Sequence, residues 1–250
     1  MQKLFINTWV FEAEIKSGVT QAELVKRVAE LGADGIEVRR EYFKDLTNEL
    51  PAVHEAAQKD HLAVALSVPD ELFVAGKLNT QLANYLVEGR QLGASKLKFN
   101  LGDFANYQGD LANDFSFWPS NIALNIENDQ TEVSGHLEPI ANFLKIAKEA
   151  GVKIGYVYDL GNWAYTKGDA ELAATELAPY ADYLHFKNVA KAADGSLTVT
   201  TDLSTGVFDW RKLYALLPAT ADVALEFPMP DDATVKTQVD QMHVAMKERQ

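Results

Sequence analysis

Short apolar segments with a two-residue period alternate along this chain with longer segments whose apolar residues recur every three or four positions. The first kind comprises "KLFINTWV" (3–10), "DGIEVRR" (34–40), "LAVALSV" (62–68), "SKLKFNL" (95–101), "NIALNIEN" (121–128), "KIGYVYDL" (153–160), "DYLHFKNV" (182–189) and "DVALEFP" (222–228). These are eight candidate strands. Helical segments stand between most of them. "TQAELVKRVAELGA" (20–33) places Leu24, Val28 and Leu31 on one face and ends at Gly32; 135–151 and 234–249 follow the same rule. Residues 103–120, between the fourth and fifth strands, offer only a short helix around "DLANDFSF". After the seventh strand runs a longer loop, 190–208, with a small hairpin expected at "DGSLTVTTD".

Strands that alternate with helices pair in parallel and carry the helices on their outer faces. Eight units in 250 residues average about 31 residues each, the size of a (β/α)8 unit. The expected fold is therefore α/β: a single-domain parallel eight-stranded (β/α)8 TIM barrel over residues 1–250, with a weak or short fourth helix. A doubly wound sheet would need a glycine-rich turn after the first strand, and "NTWVFEAEIKSG" contains none.

In a barrel the apolar face of each strand packs on helices, so the alternate polar face looks into the lumen. Ile122, Leu124 and Ile126 alternate with Asn121, Asn125 and Glu127; Leu184 and Phe186 alternate with His185 and Lys187. By the same parity Asn7, Glu37, Arg39, Asn100, Glu127, Asp159, His185, Lys187 and Glu226 converge on the mouth at the strands' carboxyl ends, where barrel enzymes work. A strand histidine taken alone is usually a hydrogen-bonded core residue. Three carboxylates and one imidazole from four successive strands instead require a counter-charge. Lys98, Lys187 and Arg39 would supply one as a salt-bridge network. A divalent cation is the simpler partner, because oxygen-rich sites with one imidazole suit Mn²⁺, Mg²⁺ or Co²⁺.

Composition narrows the classes further. The chain has no cysteine, which excludes disulfides, thiolate metal sites and a cysteine nucleophile. A net charge of −13 without clustered Lys and Arg argues against a nucleic-acid partner. No segment approaches 18 uninterrupted apolar residues and the start lacks a cleavage pattern, so no membrane partner and a cytoplasmic location are expected.

The pieces "IEVR", "NIENDQ", "YDLGN", "HFKN" and "LEF" resemble the xylose isomerase-like barrel superfamily, in particular its sugar (phosphate) isomerase/epimerase group. The resemblance spans essentially the whole chain. It implies one divalent cation, Mn²⁺ first with Mg²⁺, Co²⁺ or Zn²⁺ as alternatives, held by Glu127, Asp159, His185 and Glu226. It also implies a sugar isomerase or epimerase that moves a proton next to the carbonyl of a sugar, sugar phosphate or sugar acid through an enediolate. Glu127 and Glu226 would then be the acid–base pair. Asn7, Glu37, Arg39, Asn100, Asn162, Lys187 and Lys191 are the expected substrate contacts, with Trp9, Phe11 and Trp163 packing on a sugar ring.

Three positions depart from the family pattern. Asn162 stands where the ketose 3-epimerase branch often has His, Lys191 where it has Arg, and Asn188 replaces the Asp of H-x-K-D. Cations gathered at the mouth of a negative protein predict an anionic small-molecule substrate. The alternatives are a metal-dependent dehydratase of polyols or sugar acids, a non-catalytic sugar-binding barrel, and a zinc apurinic-site endonuclease. The last needs several further histidines, yet His54, His61, His136 and His243 fall in helices or at their edges. A homo-oligomer is compatible with all of these.

Overall fold

The structure, a computed structural model, describes residues 2–249. Its barrel strands are β1 Leu4–Asn7, β2 Gly35–Arg39, β3 Ala63–Val74, β4 Lys96–Gly102, β5 Ala123–Glu127, β6 Gly155–Asp159, β7 Ala181–Phe186 and β8 Asp222–Leu225. Each pairs in parallel with the next, and β8 pairs with β1. The sheet therefore closes into a (β/α)8 barrel.

Helices α1 Gln21–Glu30, α2 Leu46–Lys59, α3 Leu82–Leu92, α4 Leu111–Asp114, α5 Leu137–Glu149, α6 Ala170–Leu177, α7 Trp210–Leu216 and α8 Asp232–Lys247 follow the strands in turn. Their starts are written in polar caps. Thr20 and Glu23 form a reciprocal capping box on α1, and Asp45, Asp169, Asp209 and Asp231 each accept backbone N–H groups of the helix they precede. The fourth helix has 4 residues, the weak element expected there.

Two apolar clusters result. The larger fills the shell between strands and helices, from Leu4 and Ile6 to Val239 and Met242. The smaller lies inside the barrel: Phe5, Ala65, Val157, Tyr183 and Ala224. Phe5 and Tyr183 meet edge to face at 5.5 Å, and the Lys96 ammonium sits 4.1 Å over the Tyr183 ring. Gly35 faces this plug; a Cβ there would stand 2.4 Å from the Phe5 ring. Burying Phe5 contributes about 1.5–3 kcal/mol, so Gly35 is small for the sake of that ring. The plug closes the lumen from below and leaves its upper end to polar groups.

Several strands are shorter than the apolar pattern predicts. Asn7 accepts the Trp9 N–H at 2.8 Å, which turns Thr8–Phe11 into a 3-10 segment instead of more strand. The seventh strand stops at Phe186 because Asn188 takes over. Its Nδ2 donates to the carbonyls of Leu203 and Phe208, both at 2.8 Å, and its Oδ1 accepts from the Val189 N–H at 3.0 Å. The chain leaves the barrel there as a hairpin, Val189–Lys191 against Leu197–Val199, beginning upstream of the expected "DGSLTVTTD".

Candidate metal centre

Glu127 ends β5, Asp159 ends β6, His185 lies in β7 and Glu226 follows β8. Each offers one ligand atom, and the four atoms lie within 4.8 Å of one another. All four residues are buried, at 4%, 0%, 0% and 2% exposure. Such proximity of like charges is costly unless a cation sits among them.

Glu127 and Glu226 are each held by one oxygen and present the other, whereas Asp159 is bonded on both. Glu127 accepts the Lys98 ammonium on Oε2 at 2.6 Å, while its buried Oε1 turns toward His185. Glu226 takes Arg39 at 2.8 Å and Asn7 at 3.2 Å on Oε1, while Oε2 faces His185 Nδ1 at 3.1 Å. Asp159 accepts the Asn162 N–H on Oδ1 at 2.9 Å and the Lys187 ammonium on Oδ2 at 2.6 Å. Lys187 also lies 3.5 Å from Glu226 Oε2, so an ammonium bridges two of the presented oxygens.

His185 is held between the carboxylates. Its Nδ1 is 2.7 Å from Glu127 Oε1, and its Nε2 is 2.9 Å from Glu37 Oε2, which also accepts the Tyr183 hydroxyl at 2.7 Å. Burial opposes the imidazolium, but Glu37, Glu226 and Glu127 outweigh it and raise His185 well above its ordinary value. Burial likewise pushes Glu127 up, yet Lys98 and His185 bring it down to about 2. For Asp159 burial wins over Lys187, and its carboxyl rises to about 7.

These residues fit a divalent cation. Two ligands of one ion about 2.2 Å away stand at most about 4.4 Å apart, so the observed spread closes with shifts of a few tenths of an ångström. Three carboxylate oxygens and one imidazole nitrogen converge, with Lys98, Arg39 and the Asn162 N–H on the second oxygens and Glu37 facing Nε2 from behind.

No family model matches the chain, and no curated protein matches it. Solved structures do. An L-ribulose 3-epimerase superposes with a TM-score of 0.71 at 15% identity, over 99% of this chain and 95% of that one. The probable 3-DHS dehydratase AsbF of Bacillus anthracis gives 0.71 at 14%, over 97% and 99%. The IolI protein with a binding zinc atom gives 0.69 at 15%, over 99% of each chain. The chain shares the TIM-barrel fold of these proteins.

Within this barrel the other expected site residues separate into three groups. Asn7 and Arg39 hold Glu226, and Arg39 also donates to Glu41 at 2.7 Å. Lys187 holds Asp159. Glu37 and Asn162 are buried, at 0% and 4%, and their side chains face protein: Glu37 serves His185 and Tyr183, while Asn162 accepts from Gln130 at 3.0 Å and donates to the Asn128 carbonyl at 2.8 Å. Asn100 is half-buried at the mouth in register with Glu127, whereas Lys191 is exposed on the hairpin.

Trp9 stays half-buried at the mouth, with Arg39 and Lys187 at 5.7 and 5.6 Å over its ring; Phe11 and Trp163 are buried. Sequence reasoning missed Asn128. It donates to the Asp159 carbonyl at 2.9 Å and accepts the Asp159 N–H at 2.9 Å and the Tyr156 hydroxyl at 2.6 Å, tying β5 to β6 beneath the cluster. Its place directly after Glu127 was the available signal.

Proposed function

We propose that this barrel is a divalent-metal-dependent isomerase or epimerase acting on a sugar or sugar derivative. The carrying observation is the pair Glu127 and Glu226, which approach His185 Nδ1 from β5 and β8 while different cations hold their outer oxygens. Glu127, Asp159, His185 and Glu226 would hold the metal, Mn²⁺ first with Mg²⁺, Co²⁺ or Zn²⁺ as alternatives. When bound, the ion supplies Lewis acidity that lowers the cost of removing a proton next to a carbonyl. Glu127 and Glu226 then act as the proton carriers. One takes the proton and the other returns it, to the opposite face in epimerisation or to the adjacent carbon in aldose–ketose isomerisation. Lys98 and His185 keep Glu127 ionised, and His185, Lys187 and Arg39 keep Glu226 so, the state a base requires.

Trp9 supplies an apolar face for a sugar ring beside Arg39, and Asn100, in register with Glu127, is a further group to meet hydroxyls. The charge argument for an anionic substrate does not carry over: Arg39, Lys98 and Lys187 are each paired with a carboxylate, and Lys191 is exposed on the hairpin. The proposed substrate is a polyhydroxy carbonyl compound, recognised by its hydroxyls. A dehydratase reading draws support from the fold shared with the probable 3-DHS dehydratase, since loss of a β-hydroxyl begins with the same proton removal.

Incubating the Mn²⁺-loaded protein in D₂O with a panel of ketoses, sugar acids and sugar phosphates tests the proposal. Deuterium next to the carbonyl in a recovered isomer or epimer is expected. Conversion to an unsaturated product favours the dehydratase, and no uptake across the panel rejects both.

A further inference from the structure

The amino-terminal end of the barrel, opposite the carboxylate cluster, holds a cavity of about 490 Å³. It is lined by residues at or just before the starts of four strands, including Ser95, Ala123, Gly155 and Asp182. The cavity owes its existence to the short α4: the chain after it runs on as an irregular wall bearing Phe115 and Trp118. The Trp118 indole N–H donates to the Ile122 carbonyl at 2.8 Å and its ring meets Phe99 edge-on at 6.3 Å, so its orientation is fixed.

A carboxylate is aimed at this space. The β6–β7 register jumps, with Tyr156 opposite Ala181 and Val157 opposite Tyr183, so Asp182 is the extra residue of a bulge. Bulges re-aim a side chain, and here Gly155 makes the room: a Cβ on it would stand 2.3 Å from Asp182 Oδ2. Asp182 accepts the Asn125 amide, yet among the described residues it has no ion-pair partner, since the nearby Lys96 bridges to Asp222 at 2.7 Å. Asn125 is itself fully buried, and its Oδ1 has no partner. Among the described residues Asn125 Oδ1 thus lacks a donor, and the Asp182 carboxylate, exposed at the cavity, lacks a cation.

We propose that the cavity binds a small organic amine with a flat apolar body, its ring against Trp118 and Phe115 and its ammonium on Asp182. The volume suits such a ligand, and a chain of net charge −13 attracts cations. Barrel chemistry belongs to the opposite mouth, so the amine binds here without reacting. Asp182 is exposed to the cavity, so an ammonium reaches its carboxylate directly. Lys153, exposed on the same rim, offers an acid the competing contact.

Three probes of one shape separate these contributions: 2-phenylethylamine, 2-phenylethanol and 3-phenylpropionate, titrated by calorimetry and followed through the Trp118 indole N–H resonance. The amine should bind at least about tenfold tighter than the alcohol, the scale of a charge-assisted hydrogen bond. Asp182→Asn should erase that difference, Trp118→Ala should weaken amine and alcohol alike, and Lys153→Ala should leave the amine unweakened. An acid that binds best, an amine no tighter than the alcohol, or wild-type resonance shifts confined to the carboxyl mouth would each overturn the site. The resonance map needs no variant, so a poorly folded Asp182→Asn does not shelter the proposal.

Discussion

Glu37 Oε2 stands 2.9 Å from His185 Nε2, on the side of the ring away from Glu127 and Glu226. Both residues are fully buried, so this carboxylate selects the imidazole's orientation and leaves Nδ1 toward the cluster. Glu37→Gln should therefore weaken Mn²⁺ binding by about 10–100-fold without unfolding the barrel. Tyr183→Phe, which removes only the hydroxyl on Glu37, should cost less. Unchanged Mn²⁺ affinity in Glu37→Gln would place Glu37 outside the metal's support.

Glu127→Gln and Glu226→Gln keep shape and one oxygen ligand but lose the proton acceptor. Each should lower turnover by at least about 10²-fold in protein verified to hold metal. A loaded variant that turns over normally identifies its glutamate as a ligand only.

Metal affinity should rise with pH. In the metal-free protein His185 lies well above its ordinary value and Asp159 is raised to about 7, so both carry protons that a cation must displace below those values. Calorimetry in two buffers of different ionisation heat should show proton release on binding, larger below pH about 7 than above it. Affinity independent of pH between about 6 and 8 would contradict the assignment of these two groups as ligands.

Lys191, expected from the sequence to touch substrate, is exposed on the Val189–Lys191 strand of the hairpin. Lys191→Ala should leave kcat/KM within about threefold of wild type, the range of an ordinary surface change. A loss of tenfold or more would mean that the hairpin closes on the substrate.

Much of this architecture was legible because alternation has a direct physical cause. Ile36 and Val38 must face helices, which leaves Glu37 no place but the lumen. The same parity brought Glu127, Asp159, His185 and Glu226 to one mouth. Parity says which face a side chain takes and nothing about what it meets there. Glu37 was thus expected to face substrate, yet the Tyr183 hydroxyl and the His185 imidazole enclose it. Asn188 escaped notice as the residue that ends β7, because Leu203 and Phe208, whose backbone its side chain bonds, lie 15 and 20 residues downstream. The Asp182 bulge was equally hidden, since an inserted residue changes no composition and only the partner strand reveals it.

Titrating Mn²⁺ into metal-stripped protein, wild type beside His185→Ala, asks whether four buried side chains form one centre. About one ion per wild-type chain, with binding lost or weakened at least about tenfold in His185→Ala, is the expected result. Full occupancy by His185→Ala at wild-type affinity, or no binding by the wild type to Mn²⁺, Mg²⁺, Co²⁺ or Zn²⁺, would contradict it.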